Sequence, residues 1–359
     1  INKKNKRFDA KIYVVADNTD IEDNIFYNEL IKTLNIFNEN KIDAINAFNS
    51  KNNLDYIHDE IYNSDIIFFT RETKFGSKFG LQNFKNSLTC YIPYSFHIDK
   101  NDYLQFGKLF HQCFWTHYLP INSFINLAKK IYPANNCKVV GYPGLDPYID
   151  KKYLIIDKNI KTWKHHDKKK IIWAPHHSIE EGSHWPLFST FLISFKKMSN
   201  LLDDENNNLE ICFKPHPSLK KKLYNHPHWG KHKTDEYYSY WSQNKNGILN
   251  ESIYHDLFLS ADAMILDSVS FMTEFSFTEK PICFLTRKDK GDYSKFLNNA
   301  GPIIFNSINK ASSWAEILEF IDQVKIDKLN NISKKSQSLL ELGISKKNVS
   351  SKRIIKDII

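Results

Sequence analysis

No apolar run in this 359-residue chain approaches the ~20 residues that a transmembrane helix requires, and its first residues do not form a secretory signal. The expectation is a soluble, cytoplasmic protein. Cys90, Cys113, Cys137, Cys212 and Cys283 show neither CxxC nor Cys/His spacing, which argues against a disulfide framework and against a zinc module. Gly76 and Gly80 lie in a loop-like segment, but their spacing is not that of a dinucleotide fingerprint. No nucleic-acid motif or aromatic platform accompanies the basic residues, so a nucleic-acid partner is not expected. The chain opens on Ile1 rather than Met, with Lys3, Lys4, Lys6 and Arg7 close behind, as a piece of a longer protein would.

What is present is length, charge and alternation. A chain of this size exceeds one typical core and implies two domains with a cleft between them. The net charge of +8 comes from dispersed clusters, among them Lys129-Lys130, Lys151-Lys152, Lys164 to Lys170, Lys220 to Lys222 and Lys231 to Lys233. Such clusters suit a solvated surface, and they equally suit peripheral contact with an anionic membrane or a polyanionic product. Oligomeric state is not legible.

Short apolar runs alternate with helical periodicity, which argues for α/β architecture with parallel sheets. Strands are expected at Lys11 to Ala16, Asp65 to Thr70, Leu88 to Ile92, Phe114-Trp115 and Lys138 to Gly141. Helices are expected at Ile25 to Phe37, Leu54 to Tyr62 and Pro120 to Tyr132. These make a first domain over residues 1–150, followed by a charged linker over 151–169. A second series over 170–335 starts with the strand Lys170 to Trp173. It continues with a helix at Leu187 to Leu202, the strand Leu209 to Phe213, and a helix at Ile253 to Ser260. The unit Ala261 to Leu285, strand, turn, helix and strand, comes next, and the chain then reads as helical from Ile304. An amphipathic tail, 336–359, is expected to pack back on the first domain.

Parallel strands place the residues that follow them on one edge, where ligands bind in open α/β sheets. Three clusters meet that condition in the second domain: His176, His177 and Ser178; Lys214 and His216; and Asp267, Ser268 and Ser270. Adjacent His176 and His177 are not expected to point inward together from an extended segment. In Lys214-Pro215-His216-Pro217 the prolines stiffen the turn, so His216 presents a directed donor, suited to phosphate. The hydroxyls of Ser268 and Ser270 at a helix start suit an anion as well. Glu274, one turn later, suits a ribose. In the first domain Tyr94 and His97 follow a strand and face the cleft; Arg287 is a further cleft candidate.

The pieces WAPHHS, FKPHP and ADAMILDSVSFMTEFSFTEKPICFL, in this order, resemble the CDP-glycerol glycerophosphotransferase family, which includes teichoic-acid polymerases and capsule polymer enzymes. The likeness covers roughly Trp173 to Leu285, with weaker similarity at YIPYSF and VVGYPGLD. It implies a GT-B-like fold of two Rossmann-like parallel-sheet domains facing a cleft, with the nucleotide on the C-terminal one. It further implies transfer of a polyol phosphate from a CDP-activated donor to a polymeric or lipid-linked acceptor, with CMP released and neither cofactor nor metal required. The family's HP histidine falls on His216 and its hydroxyl-rich phosphate loop on Asp267 to Ser270. This chain has Val269-Ser270 where many members pair two serines. It also lacks the His-Gly motif that carries the family's base, which leaves His97 as the candidate for that role. Two alternatives stay open: a GT-B glycosyltransferase using a CMP-sugar or another nucleotide sugar, and a GT-B domain that binds without catalysis.

Overall fold

The computed structural model describes residues 9–14, 23–50, 53–56, 59–71, 79–157, 163–179, 189–204, 207–329 and 332–359. The basic residues Lys3 to Arg7, Gly76 and Leu187 lie outside them, as do the side chains of Ile25 and Ser270. At the N-terminus β1 (Ile12–Val14) runs parallel to β2 (Ala44–Asn46), joined by the helix Asp23–Glu39. β3 (Phe48–Ser50) and β4 (Asn53–Tyr56) form a small antiparallel hairpin. This corrects the helix expected at Leu54 to Tyr62. Asn53–Tyr56 is a strand instead, and among the described residues a 3-10 turn, Asp59–Asn63, follows it.

β5 (Ile66–Phe69), β6 (Leu88–Tyr91), β7 (Thr116–Leu119) and β8 (Cys137–Val139) make a four-stranded parallel sheet in sequential order. Here the strand expected at Phe114-Trp115 begins two residues later, because Thr116 to Leu119 are the residues buried on both faces.

The second large sheet has six strands: β9 (Lys169–Ala174), β10 (Leu209–Phe213), β11 (Gly247–Leu249), β12 (Ala263–Leu266), β13 (Ile282–Leu285) and β14 (Asn309–Ala311). Their order is β11-β10-β9-β12-β13-β14, and every pairing is parallel. The order reverses at β9, so the crevice beside its carboxyl end is the topological switch point. Ile171, Ile172 and Trp173 are fully buried, as a central parallel strand covered on both faces demands, and Trp173 stacks on Phe213 at 5.1 Å. Short edge strands β11 and β14 escape the sequence pattern, since three residues carry no period. The run from Ile304 is therefore not continuously helical: the helix Gly301–Phe305, β14 and the helix Trp314–Lys325 share it.

The carboxyl edges of the two large sheets meet. Beyond β6, Ile98 O accepts from Asn298 N (2.9 Å), and Lys100 N donates to Phe296 O (2.8 Å) in the connection after β13. Beyond β8, the Tyr142 hydroxyl lies 3.2 Å from Glu274 in the helix after β12. The last helix, Ser350–Ile358, returns to the first sheet. Its first N–H groups, of Ser350 and Ser351, donate to the buried Asp146 carboxylate (2.7 and 2.9 Å), and Tyr118 donates to Asp357 (2.8 Å). Gly141, at φ 96°, permits this docking, because a Cβ there would lie 2.4 Å from Ser350 Oγ. Among the described residues no helix is long and apolar enough to cross a membrane.

Candidate active site

The loops leaving β9 and β10 bring three imidazoles together. The His177 ring lies 4.2 Å from both the His176 and the His216 ring, and ring nitrogens of all three fall within 4.8 Å of one another. This corrects the expectation that only one of the adjacent pair turns inward. The backbone leaves the extended form right after β9, where Ile179 N bonds back to His177 O at 2.9 Å, so neighbouring rings no longer project oppositely.

Backbone donors set the tautomer of two of them, His176 and His216. Ser178 N–H donates to His176 Nδ1 (3.2 Å) and Ser218 N–H to His216 Nδ1 (3.1 Å), the latter as the N-cap contact of the helix Pro217–Tyr224. A nitrogen that accepts has no proton, so each ring carries its single proton on Nε2. Burial, then the neighbouring imidazoles, push both rings far below the usual histidine range, His216 to about 3, and keep them neutral. The spacing alone would hold a cation. Coordination through Nε2, however, would require removing the proton that Nδ1 acceptance puts there, so the arrangement favours an anion.

The other expected residues are placed differently. Asp267 is fully buried and does not face a phosphate. It accepts from His176 N (2.6 Å), Thr190 N (2.5 Å) and Thr190 Oγ1 (2.9 Å), tying the β9 loop and the entrance of the helix Phe191–Asn200 to β12. Burial lifts its carboxyl to about 6 against those donors. Ser178 and Ser268 are likewise buried, and the Ser178 hydroxyl sits 2.8 Å from His176 Nδ1. Lys214 is 4% exposed: its ammonium donates to Ser252 O (2.9 Å), lies 5.6 Å from the Tyr254 ring and is lowered by burial to about 8, while its charge is still felt at His216, which it helps to lower. Ser270 opens the helix Ser270–Ser276. Arg287 forms a two-pronged pair with Asp289 in its own turn (3.0 and 2.9 Å) instead of facing a ligand.

Glu274 is 2% exposed, one oxygen accepting from Tyr254 (2.9 Å) and the other facing the Tyr142 hydroxyl (3.2 Å). Burial raises it to about 7. A ribose would have to displace these phenols, which corrects the reading of Glu274 as an open acceptor. His97 is partly exposed beyond β6, with Ser95 Oγ at 3.1 and 3.3 Å, Asp99 at 3.9 Å and the exposed Tyr94 ring edge-on at 5.4 Å. Sequence reasoning missed Thr190, Tyr142, Tyr254 and Asn298 as supports. Only Tyr142, inside the VVGYPGLD segment, carried a local signal.

A sequence profile of CDP-glycerol:poly(glycerophosphate) glycerophosphotransferases matches residues 114–331, more than half of the chain. The chain belongs to this family. The matched span includes all three imidazoles and the carboxyl edge on which they stand, so their convergence sits within a glycerophosphotransferase. Several solved structures share the fold. One is a variant of the wall teichoic acid polymerase TagF soaked with CDPG, at 15% identity over 88% of this chain and 77% of that one, TM-score 0.54. Others are the S. aureus MnaA–UDP co-structure, at 17% identity over 92% and 84%, TM-score 0.53, and a UDP-N-acetylglucosamine 2-epimerase, at 14% identity over 99% and 89%, TM-score 0.54. At these identities the likeness establishes the fold: two Rossmann-like domains in the GT-B arrangement. No curated protein sequence matches the chain.

Proposed function

We propose that this glycerophosphotransferase binds the diphosphate of CDP-glycerol at His176, His177 and His216 and uses His97 to take the proton of the acceptor hydroxyl. The observation that carries the reading is the pair of backbone N–H groups, of Ser178 and Ser218, that fix Nε2–H donors on two of three converging imidazoles. The acceptor is the hydroxyl end of a growing teichoic-acid-like or capsule polymer, free or lipid-linked, and the dispersed lysines suit an anionic product or membrane surface.

In the reaction an acceptor oxygen attacks the phosphorus that bears glycerol. A new P–O bond forms, the P–O bond to the CMP phosphate breaks, and the acceptor proton passes to His97. Charge gathers on the departing CMP phosphate. Neutral N–H donors fixed in advance stabilise that charge without reorganising, and they require no resident metal. Lys214, whose ammonium is held at Ser252 O, acts at most at a distance, and Asp267 and Glu274 brace the site. Scoring CMP release from CDP-glycerol, CDP-ribitol and CMP-sugars tests the reading. Turnover with CDP-glycerol that falls sharply in His216→Ala is expected; a CMP-sugar as the sole donor would overturn it.

A further inference from the structure

The segment that carries His97 is held by the donor-binding side of the molecule. Asp99 and Leu297 form an isolated antiparallel bridge, framed by Asn298 N to Ile98 O (2.9 Å) and Lys100 N to Phe296 O (2.8 Å). Asn298 is 4% exposed, and its side chain has two duties. Its Nδ2 donates to the carbonyl of His97 itself (3.0 Å), while its Oδ1 accepts from Ala300 N (3.0 Å) and Gly301 N (3.4 Å) to cap the following helix. Gly301 permits the approach, since a Cβ there would lie 2.6 Å from Leu297 Cβ and 2.9 Å from Ile98 O. At the other end of the segment, Tyr94 O accepts from the Tyr142 hydroxyl (2.8 Å), whose second neighbour is Glu274.

We propose that Asn298 is a positioning residue for the reaction: it fixes the His97 main chain against the donor-binding domain and so sets where the imidazole stands relative to the bound donor. The inference rests on His97 being the base. Phe296 to Asn298 lie in the connection that follows β13, a strand of the same parallel sheet as β9 and β10, so the link joins the His97 segment to the domain that carries the imidazole cluster. A base displaced by a fraction of an ångström loses rate without loosening the donor.

Asn298→Asp separates the two duties, because a carboxylate still accepts from Ala300 and Gly301 but no longer donates to His97 O. We expect kcat to fall on the order of 10- to 100-fold, with the KM for CDP-glycerol and the affinity for CMP near wild type. In the His97→Ala background the same substitution should add almost nothing, since a base already absent cannot be misplaced. Gly301→Ala, which pushes on both the bridge residue Leu297 and Ile98 O, should reproduce the kcat loss in milder form. If His97→Ala is impaired while Asn298→Asp turns over normally, or if Asn298→Asp slows His97→Ala as much as wild type, the positioning role is wrong. If His97→Ala itself turns over normally, the fault lies with the base assignment instead.

Discussion

Two histidine clusters share this molecule and differ in what surrounds them. In the N-terminal domain His111, in the short helix Leu109–Gln112, and His117, in β7, are fully buried and stacked at 5.3 Å, with Tyr91 edge-on at 5.2 and 5.1 Å. At the carboxyl edge of the second sheet His176, His177 and His216 are only partly buried. Burial lowers imidazoles in both places, His111 to about 4, His117 to about 3 and His216 to about 3. A depressed pKa therefore does not mark a site. What separates the clusters is backbone hydrogen bonding that sets a tautomer: the first pair fills a core and the second stands at the carboxyl edge of its sheet.

The comparison breaks most visibly in turnover. Removing a preorganised donor by His216→Ala should cost on the order of 100-fold in kcat, as in other sites that stabilise developing charge. His117→Phe should leave turnover near wild type, because its ring meets only core side chains. Equal losses from the two substitutions, measured with CDP-glycerol under saturating donor, would erase the distinction.

Acid stability sharpens it. A histidine whose folded pKa lies below its unfolded value of 6.5 adds stability that is complete above pH 6.5 and is lost as pH falls toward the folded value. For His117 that window runs from pH 6.5 down to about 3. One such group destabilises the fold by roughly 2 kcal/mol at pH 5, where the unfolded state binds the extra proton. Chemical denaturation at pH 5 and pH 7.5 should show a smaller pH difference in His117→Phe than in wild type; an unchanged difference would remove His117 from the acid response.

Much of this arrangement was readable from residue order, and the remainder was lost for identifiable reasons. WAPHHS and FKPHP announced the edge of the second sheet because an apolar strand followed by polar residues has a signature of its own. The inward turn of both His176 and His177 was hidden, since alternation along a strand no longer applies once the chain bends. Asp267, Lys214 and Glu274 were assigned to ligand by their place after strands. Their partners Thr190, Ser252, Tyr254 and Tyr142 lie 20 to 132 residues away in sequence, and no local pattern reports such contacts. Three-residue strands such as β11 and β14 are too short to show a period.

Smaller effects complete the contrast. Tyr118→Phe removes a hydroxyl that, with Lys138, holds Asp357 of the last helix, on the sheet face opposite the core histidines, and should lower stability by about 1 kcal/mol in denaturant melts with turnover unchanged. A loss of turnover at unchanged stability would instead tie that end of the first sheet to the reaction. Chelation should do least of all. If the imidazole cluster holds phosphate through protonated Nε2 atoms, EDTA leaves the initial rate unaltered, whereas inactivation reversed by added zinc would make the cluster a metal site.

The most direct measurement is the state of the histidine ring nitrogens by 15N NMR as CMP is added. The account predicts that His176 and His216 are neutral at pH 7, protonated on Nε2, and that their Nε2–H signals shift when CMP binds while those of His117 stay fixed. Nδ1-protonated or imidazolium rings, or signals indifferent to CMP, would contradict it.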